Sequence, residues 1–281
     1  MSVLLKLREY RTLPNSENEI RKYILKNSKK VITMSVQELA KKSYTSAATV
    51  IRLCKRLDLK GYGQFKIELA SELKAFENMN LNLIDHTTFK KNDSMSDIVN
   101  KITDMSIKSI EETNLLLDPD VLLAVAKEIM KADIIDLYGA GASNNVAFDA
   151  GYKFMRIGKN VACLHLIDRQ RIQAINSDPN HFAIIISYSG ETPEIIEIAN
   201  ILSKNNVPSV SITSSIQNQL MNIVDYNLFV SSRESTFRNG AIISRTSTLY
   251  MLDLIYVTCI SLNYDVSLKA LEKTLTIQNM K

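Results

Sequence analysis

The chain has 281 residues, of which 46% are apolar and 23% charged, so it is long enough for one large or two smaller globular domains. Its longest apolar runs, such as residues 182–186, are far shorter than the roughly 18 residues that indicate a membrane span. The first residues lack the apolar core of a secretory signal. We therefore predict a cytoplasmic protein with no membrane partner.

Cysteine and histidine usage argues against a metal site or a disulfide framework. The three cysteines (Cys54, Cys163 and Cys259) are widely spaced among apolar residues, which predicts buried free thiols. The three histidines share no helical spacing with one another or with a cysteine. We predict that no metal is bound.

The net charge of +4 is distributed unevenly. Residues 1–77 contain 16 Lys and Arg against 8 Asp and Glu, whereas the remaining 204 residues contain 18 against 22. This asymmetry favours a nucleic-acid-binding head on a neutral to acidic body, although a basic solvated face is also common.

The N-terminal region, from residue 16 to about 83, has a helical pattern throughout. Ser16 and Ser35 each have a glutamate three residues later, which predicts two capping boxes, and Ser46 is a further N-cap. The second and third helices are joined by residues 43–45 alone, the short connection of a helix-turn-helix. The helix after Ser46 is then the recognition helix.

This recognition helix combines small or hydroxylated residues in its first turn with basic residues one turn later. Small side chains let a helix approach base edges, and cations bind phosphates. The candidate DNA-binding residues are Ser46, Ala47, Thr49, Arg52, Lys55, Arg56 and Lys60. The same periodicity is also typical of a helical assembly bundle with a basic exterior.

Residues 78–95 are polar and without a clear period, which predicts a linker, and Ser96 is the predicted N-cap of a connecting helix. Beyond a helix opened by Asp118 and Pro119, five apolar runs alternate with amphipathic segments. The runs are residues 134–138, 161–166, 182–187, 209–213 and 226–230, and the segments are 144–157, 169–175, 193–205 and 217–223. Two closing helices are predicted over 242–262 and 267–277.

These patterns predict an all-α helix-turn-helix domain followed by an α/β domain, whose five-stranded parallel sheet is flanked by helices. The predicted domains are residues 1–77, a linker over 78–95, and 96–281 including the connecting helix. Two glycine turns then lie at the carboxyl edge of the sheet.

The first turn, residues 139–144, has the pattern G-x-G before a helix. A dinucleotide site would need a third glycine at Asn144 and an acid where His165 ends the next strand, and no P-loop pattern occurs. We therefore predict no nucleotide cofactor. The turn contains Gly141 and presents the Ser143 hydroxyl at the carboxyl edge of the sheet. Open parallel sheets bind ligands in the crevice at this edge.

The second turn, residues 187–192, follows a buried strand and precedes a helix that starts with a proline. Three hydroxyls, a glycine and the exposed N–H groups of a helix N-terminus suit a phosphate. Each turn alone is more typical of an ordinary capped turn, but the two together favour a ligand site.

Residues 35–66 resemble the helix-turn-helix of RpiR-type bacterial transcriptional regulators. One departure is Tyr44, at a turn position where the family usually has glycine. Because a positive φ strains tyrosine, we expect the turn to adopt another conformation here.

The two glycine turns resemble those of the sugar isomerase (SIS) domain, whose S-x-S-G-E-T turn holds the phosphate of a phosphosugar. The resemblance implies ligand contacts from the hydroxyls of Ser187, Ser189 and Thr192, from the Tyr188 N–H, and from Ser143. It also implies that Glu234, Ser244 and Arg245 line the sugar end. The chain departs from the family over residues 246–249, whose hydroxyls either face the ligand or bond locally.

Together the resemblances imply a DNA-binding transcriptional regulator of carbohydrate genes, controlled by a sugar phosphate and assembled as a homodimer or homotetramer on double-stranded operator DNA. One alternative is a sugar-phosphate isomerase with a helical assembly domain, for which Glu191, Glu234 and His165 are candidate bases. Another is a metabolite-binding protein that acts only on protein partners, which leaves the basic recognition helix unexplained.

Overall fold

The computed structural model describes residues 3–10, 13–78, 91–231 and 241–276. The chain divides into two compact units, residues 1–115 and residues 116–281.

The described part of the first unit is helical. Its helices are α1 (Val3–Glu9), α2 (Asn15–Val31), α3 (Val36–Lys42), α4 (Ala47–Arg56), α5 (Tyr62–Asn78) and α6 (Met95–Leu116). Helix α1 had no counterpart in the sequence prediction. It contributes Leu4 and Leu7, both fully buried, to the core that α2 to α5 share.

Two of the predicted N-caps are confirmed. Ser35 and Glu38 form the capping box of α3, in which the Glu38 N–H donates to Ser35 Oγ and the Ser35 N–H donates to Glu38 Oε2. Ser46 caps α4 by accepting from the Thr49 N–H at 3.2 Å. The helix-turn-helix therefore begins both of its helices where the sequence predicts.

The other two N-cap predictions, Ser16 and Ser96, are wrong. Helix α2 starts after Pro14, whose fixed φ of −51° sets the entry of the chain, and no side chain caps it. Helix α6 starts after Ser94, which accepts from the Asp97 N–H at 3.1 Å, while the Asp97 carboxylate accepts from Ser94. Ser94 is the N-cap because an acidic residue, Asp97, lies three residues after it, which Ser96 lacks.

The second unit is an α/β fold with five strands. Its strands are β1 (Ile134–Gly139), β2 (Asn160–Cys163), β3 (His181–Ile186), β4 (Ser209–Ser214) and β5 (Tyr226–Val230). Its helices are α7 (Pro119–Lys131), α8 (Ala142–Arg156), α9 (Ile167–Asn176), α10 (Pro193–Lys204), α11 (Ile242–Leu262) and α12 (Tyr264–Thr276). The helix predicted over 217–223 is wrong, since only a short 3-10 turn, Leu220–Asn222, forms there.

All strand pairs are parallel, and the strand order is β2-β1-β3-β4-β5. One apolar cluster lies between the sheet and helices α7, α8 and α11, and a second lies between the sheet and helices α9 and α10. The predicted fold class is confirmed. Because the chain winds from β1 toward β2 on one side and from β3 toward β5 on the other, the topological switch point lies between β1 and β3.

In the described ranges, no single helix has the length and hydropathy of a membrane span. Helix α11 and residues of α12 up to Leu275 meet that test only as a pair bent by 112°.

Candidate functional site

The helix-turn-helix is closed by short hydrogen bonds around its turn. The Thr45 N–H donates to the Ala40 carbonyl at 2.8 Å, and Ser43 Oγ donates to the Leu39 carbonyl at 2.8 Å. Between them, Tyr44 has φ of 55° and a side chain that is 96% exposed. The expectation that this turn avoids a positive φ is therefore wrong, because Tyr44 occupies the left-handed region that the turn requires.

Helix α4 has one buried face and one outward face. Val50, Leu53 and Cys54 pack into the core, whereas an outward stripe at helical spacing is exposed. That stripe consists of Ala48, Ile51, Arg52 and Lys55. The sequence reasoning placed Ala48 among the small residues of the first turn but missed Ile51, although the spacing of the buried residues would have placed Ile51 on the stripe. Residues 41–56 contain five cations and no carboxylate, so this face suits a polyanion.

Thr49, a candidate DNA contact, is only 4% exposed and its hydroxyl has protein partners. Thr49 Oγ1 lies 2.9 Å from Ser46 Oγ and accepts from Arg52 Nη2 at 3.1 Å. In this arrangement Thr49 orients the Arg52 guanidinium and does not present a free hydroxyl.

Arg56, another candidate, bonds within the first unit. Its Nε donates to Glu17 Oε2 at 2.8 Å, and Glu17 is only 3% exposed. The Arg56 carbonyl also accepts from the Tyr10 hydroxyl at 3.0 Å. Arg56 therefore joins the end of α4 to α2. Lys60 lies beyond α4, with its side chain exposed and its N–H bonded to Gln64 Oε1 at 2.8 Å.

The Arg56 pairing predicts a stability effect. We expect Arg56→Ala to destabilise the first unit by about 1 to 3 kcal/mol, because the buried Glu17 carboxylate loses its partner. Lys55→Ala is the matched control, since it removes an exposed charge from the same helix. Denaturant unfolding of both variants measures the difference, and equal midpoints for the two would disprove the role of Arg56.

The two glycine turns of the second unit lie side by side. Gly139 ends β1 and is paired in register with Ile186 at the end of β3. Residues 140–143 and 187–192 therefore leave neighbouring strands at the same carboxyl edge, at the switch point of the sheet. This is the position at which open α/β sheets bind ligands.

The first turn needs both of its glycines. A Cβ on Gly139 would lie 3.0 Å from the backbone N of Asn144, so only glycine lets α8 start this close to the strand. Gly141 has φ of 58° and is the residue before α8. Ser143, half-buried, follows in the first turn of that helix.

Two buried amides that the sequence reasoning missed hold this turn. Gln170 on α9 accepts from the Gly139 N–H at 3.2 Å and donates to the Gly139 carbonyl at 3.0 Å. Its amide also donates to the Leu164 carbonyl, to which Asn144 Nδ2 donates as well. The turn is therefore tied to the end of β2. A polar residue in mid-helix gives no sequence signal of such a role.

The second turn presents hydroxyls around a helix N-terminus. Ser187 is buried, and its Oγ donates to Thr192 Oγ1 at 3.4 Å, while Ser189 Oγ accepts from the Glu191 N–H at 3.3 Å. Helix α10 then begins at Pro193 with no side-chain cap. Within the described chain, the backbone N–H groups of Ser189 and Thr192 have no acceptor. These donors, with the helix dipole, favour an anion here.

A neighbouring segment, residues 213–220, holds the second turn in place. The Tyr188 carbonyl accepts from the Ser214 N–H at 2.9 Å and from Thr213 Oγ1 at 3.1 Å. The Gly190 carbonyl accepts from the Leu220 N–H at 3.1 Å. Gly190 itself has φ of 63° and faces the Asn218 side chain, which a Cβ would approach to 2.0 Å. The turn is therefore built before any ligand arrives.

The candidate bases of the isomerase alternative have other contacts. Glu191 Oε1 accepts from the Gln219 N–H at 2.8 Å, which fixes the carboxylate against the supporting segment. The His165 ring stacks on Phe148 with centroids 3.9 Å apart and an angle of 18°. Glu234 lies outside the described residues.

The predicted sugar-end residues on α11 differ in exposure. Ser244 is buried in the first turn of the helix, whereas Arg245 is exposed. Ser247 Oγ donates to the Ser231 carbonyl at 2.6 Å, which places the start of α11 beside the end of β5. The hydroxyls of Thr246 and Thr248 donate to helix carbonyls four residues earlier. Thr246 and Thr248 therefore bond locally, whereas Ser247 bonds to the segment after β5.

The three cysteines are free thiols. Cys54 and Cys259 are buried as predicted, whereas Cys163 is partly exposed. Burial raises the pKa of Cys54 to about 11 and those of Cys163 and Cys259 to about 12, so all three stay protonated at neutral pH. No group of three metal-ligating side chains occurs among the described residues.

A basic helix-turn-helix followed by a parallel sheet with two glycine turns at its switch point is typical of one class of protein, the DNA-binding regulators with a small-molecule-binding domain. Residues 1–75 match the model of the helix-turn-helix domain of the rpiR family, and residues 128–258 match the SIS domain. The chain is 35% identical to an uncharacterized HTH-type transcriptional regulator of Caldanaerobacter subterraneus, over 95% of this chain and 93% of that protein. The chain therefore belongs to the RpiR family of transcriptional regulators with a SIS domain.

Further comparisons agree with this membership. The Bacillus subtilis HTH-type regulator YbbH, also uncharacterized, is 30% identical over 96% of this chain and 94% of its own length. The solved structure of the Vibrio vulnificus NanR protein complexed with ManNAc-6P is similar with a TM-score of 0.61 and 25% identity, over 98% of this chain and 97% of that one.

Proposed function

We propose that this regulator binds operator DNA through α4 and senses a phosphosugar at the switch point of its sheet. The observation that carries the proposal is the preformed turn of residues 187–192, which places hydroxyls and unpaired N–H groups at the start of α10. Such a turn holds a phosphate without any covalent chemistry.

The proposed phosphate ligands are the hydroxyls of Ser187, Ser189 and Thr192, with the Tyr188 N–H. Ser143, which follows Gly141 in the first turn of α8, adds a hydroxyl from the neighbouring glycine turn. The NanR structure supports a phosphosugar in particular, since its bound ligand is ManNAc-6P.

For the sugar end of the ligand, we propose contacts from Ser244 and Arg245 on the first turn of α11, with Glu234 in the preceding segment. Arg245 is exposed and cationic, so it can reach a hydroxyl or a second anionic group of the ligand. The sugar-binding residues are dispersed along the chain, unlike the phosphate turn.

For DNA binding, Arg52 and Lys55 on the outward face of α4 supply direct contacts, and Ser46, Ala47 and Lys60 flank them. Thr49 and Arg56 contribute by holding Arg52 and α4 in position. We assign this role to residues 1–77, the linker to 78–95, and effector binding to 96–281. One recognition helix reads few bases, so we propose a homodimer or homotetramer on half-sites about 34 Å apart or a multiple of that, acting in the cytoplasm.

We propose that the chain is not an isomerase. Isomerisation needs a base near the carbon that loses its proton. Glu191 is bonded to the Gln219 N–H and His165 is stacked on Phe148, so each has a positioning role in this structure.

Loss of one turn hydroxyl tests the site. We expect Ser189→Ala to weaken phosphosugar binding by about 1.5 to 3 kcal/mol, roughly 10- to 150-fold, because one hydrogen bond to a charged phosphate is removed. Calorimetric titration with N-acetylmannosamine 6-phosphate and other hexose phosphates gives the affinity.

Ser203→Ala, an exposed serine at the far end of α10, is the matched control and should bind as the wild type does. Unchanged affinity in Ser189→Ala would remove the phosphate site from this turn. Turnover of a hexose phosphate by the wild type would favour the isomerase.

A further inference from the structure

Tyr44 is a conformational outlier on the DNA-binding surface. Four non-glycine residues in the described ranges have positive φ, and they are Tyr44, Asp58, Asn206 and Ala241. Aspartate and asparagine tolerate this region, whereas a bulky aromatic residue does so only at a cost. An observed outlier of this kind is a reason to look for a function.

The position of Tyr44 makes packing an insufficient explanation. Tyr44 is 96% exposed, and its backbone N–H donates to the Lys41 carbonyl at 3.3 Å. Among the described residues, no hydrogen bond or ring contact involves its side chain. The strained conformation therefore holds an aromatic ring and a hydroxyl out in solvent, where neither stabilises the unit.

The residues around Tyr44 indicate which kind of ligand its side chain contacts. Lys41 and Lys42, both exposed, end the preceding helix, and Ser46, two residues after Tyr44, caps α4. The nearest carboxylates in sequence are Glu38 and Asp58, so the whole stretch between them is basic. A phenol beside such cations can donate to a phosphate oxygen.

We propose that the Tyr44 hydroxyl donates a hydrogen bond to the operator backbone, at the phosphate that flanks the groove entered by α4. This inference rests on the proposed DNA-binding function and adds a contact to it. The outward residues of α4 meet base edges, whereas the turn before the helix lies at the groove wall, where the sugar-phosphate backbone runs.

The test uses the full chain and two substitutions at this position. Tyr44→Phe removes only the hydroxyl, and Tyr44→Asn removes the ring while placing a residue that accepts positive φ. We expect each to weaken binding to operator and to unrelated DNA by a similar factor, about 5-fold or more. The slope of affinity against salt should stay unchanged, because tyrosine carries no charge. Tyr44→Asn should unfold at the same or a higher temperature.

Tyr152→Phe, an exposed tyrosine on α8, is the control and should leave DNA affinity unaltered. Wild-type affinity in Tyr44→Phe would overturn the proposal, whatever the stability of Tyr44→Asn. A loss confined to one operator base pair would overturn it in favour of base recognition. If the wild type itself binds no operator, the proposed DNA-binding function fails, which is a separate outcome.

Discussion

Arg52→Ala is expected to bind operator DNA about 1 to 3 kcal/mol more weakly, or roughly 5- to 150-fold, with effector affinity unchanged. Arg52 is exposed on the outward stripe of α4, and its Nη2 atom donates to Thr49 Oγ1 at 3.1 Å. Because Thr49 is in turn held by the helix N-cap Ser46, the guanidinium is oriented before DNA arrives. An oriented side chain loses less entropy on binding.

The control for Arg52→Ala is Arg169→Ala, which removes the same charge from an exposed position of the second unit. Fluorescence anisotropy with a labelled operator fragment measures both variants. If Arg52→Ala bound the operator with the affinity of the wild type, α4 would not be the recognition helix. Equal losses in the two variants would attribute the effect to net charge.

Gly190→Ala is expected to disrupt the second turn and destabilise the second unit by about 2 to 4 kcal/mol. The new methyl would lie 2.0 Å from Asn218 Oδ1, and Gly190 already has φ of 63°. Asn218 cannot easily move away, since its Nδ2 donates to the Ile216 carbonyl at 2.8 Å and its Oδ1 accepts from the Met221 N–H at 3.2 Å. We therefore also expect phosphosugar affinity to fall at least 10-fold, by loss of the turn geometry.

Gly158→Ala separates the steric clash with Asn218 from the backbone strain of a positive φ. Gly158 has φ of 85°, but an added Cβ there would lie 3.7 Å from the Ala270 Cβ, an ordinary contact. This variant should be destabilised only by the strain of the left-handed conformation, about 1 to 2 kcal/mol. It should bind the phosphosugar normally. Denaturant unfolding and calorimetry compare the two variants. Equal stability and normal ligand binding in both would show that Asn218 does not hold the turn.

Much of the second unit could be predicted because its signals are local. Strand β5 over Tyr226–Val230 and helix α11 over Ile242–Leu262 have their predicted bounds, since continuous apolar runs and helical periodicity end at clear breaks. The 3-10 turn Leu220–Asn222 could not be predicted, because the segment is held by tertiary contacts to the 187–192 turn.

The sequence could not show which polar side chains already bond to other residues of the folded chain. The pairing of Arg56 with Glu17 joins residues 39 positions apart, and Gln170 reaches Gly139 across 31 positions. Neither spacing has a periodic signature. The prediction for Tyr44 failed for a different reason. The low propensity of tyrosine for positive φ argued against the left-handed conformation that the turn imposes.

Coupling between phosphosugar binding and operator binding in this one chain is tested most directly by operator affinity with and without ligand. Binding of the full chain to DNA upstream of its own gene is measured at two salt concentrations, with a panel of hexose, amino-sugar and sugar-acid phosphates. We predict sequence-selective binding that weakens with salt. One phosphosugar should change the affinity by roughly 5- to 150-fold, and inorganic phosphate should not. Absence of selective DNA binding, together with turnover of a phosphosugar, would contradict a regulatory function and favour an isomerase.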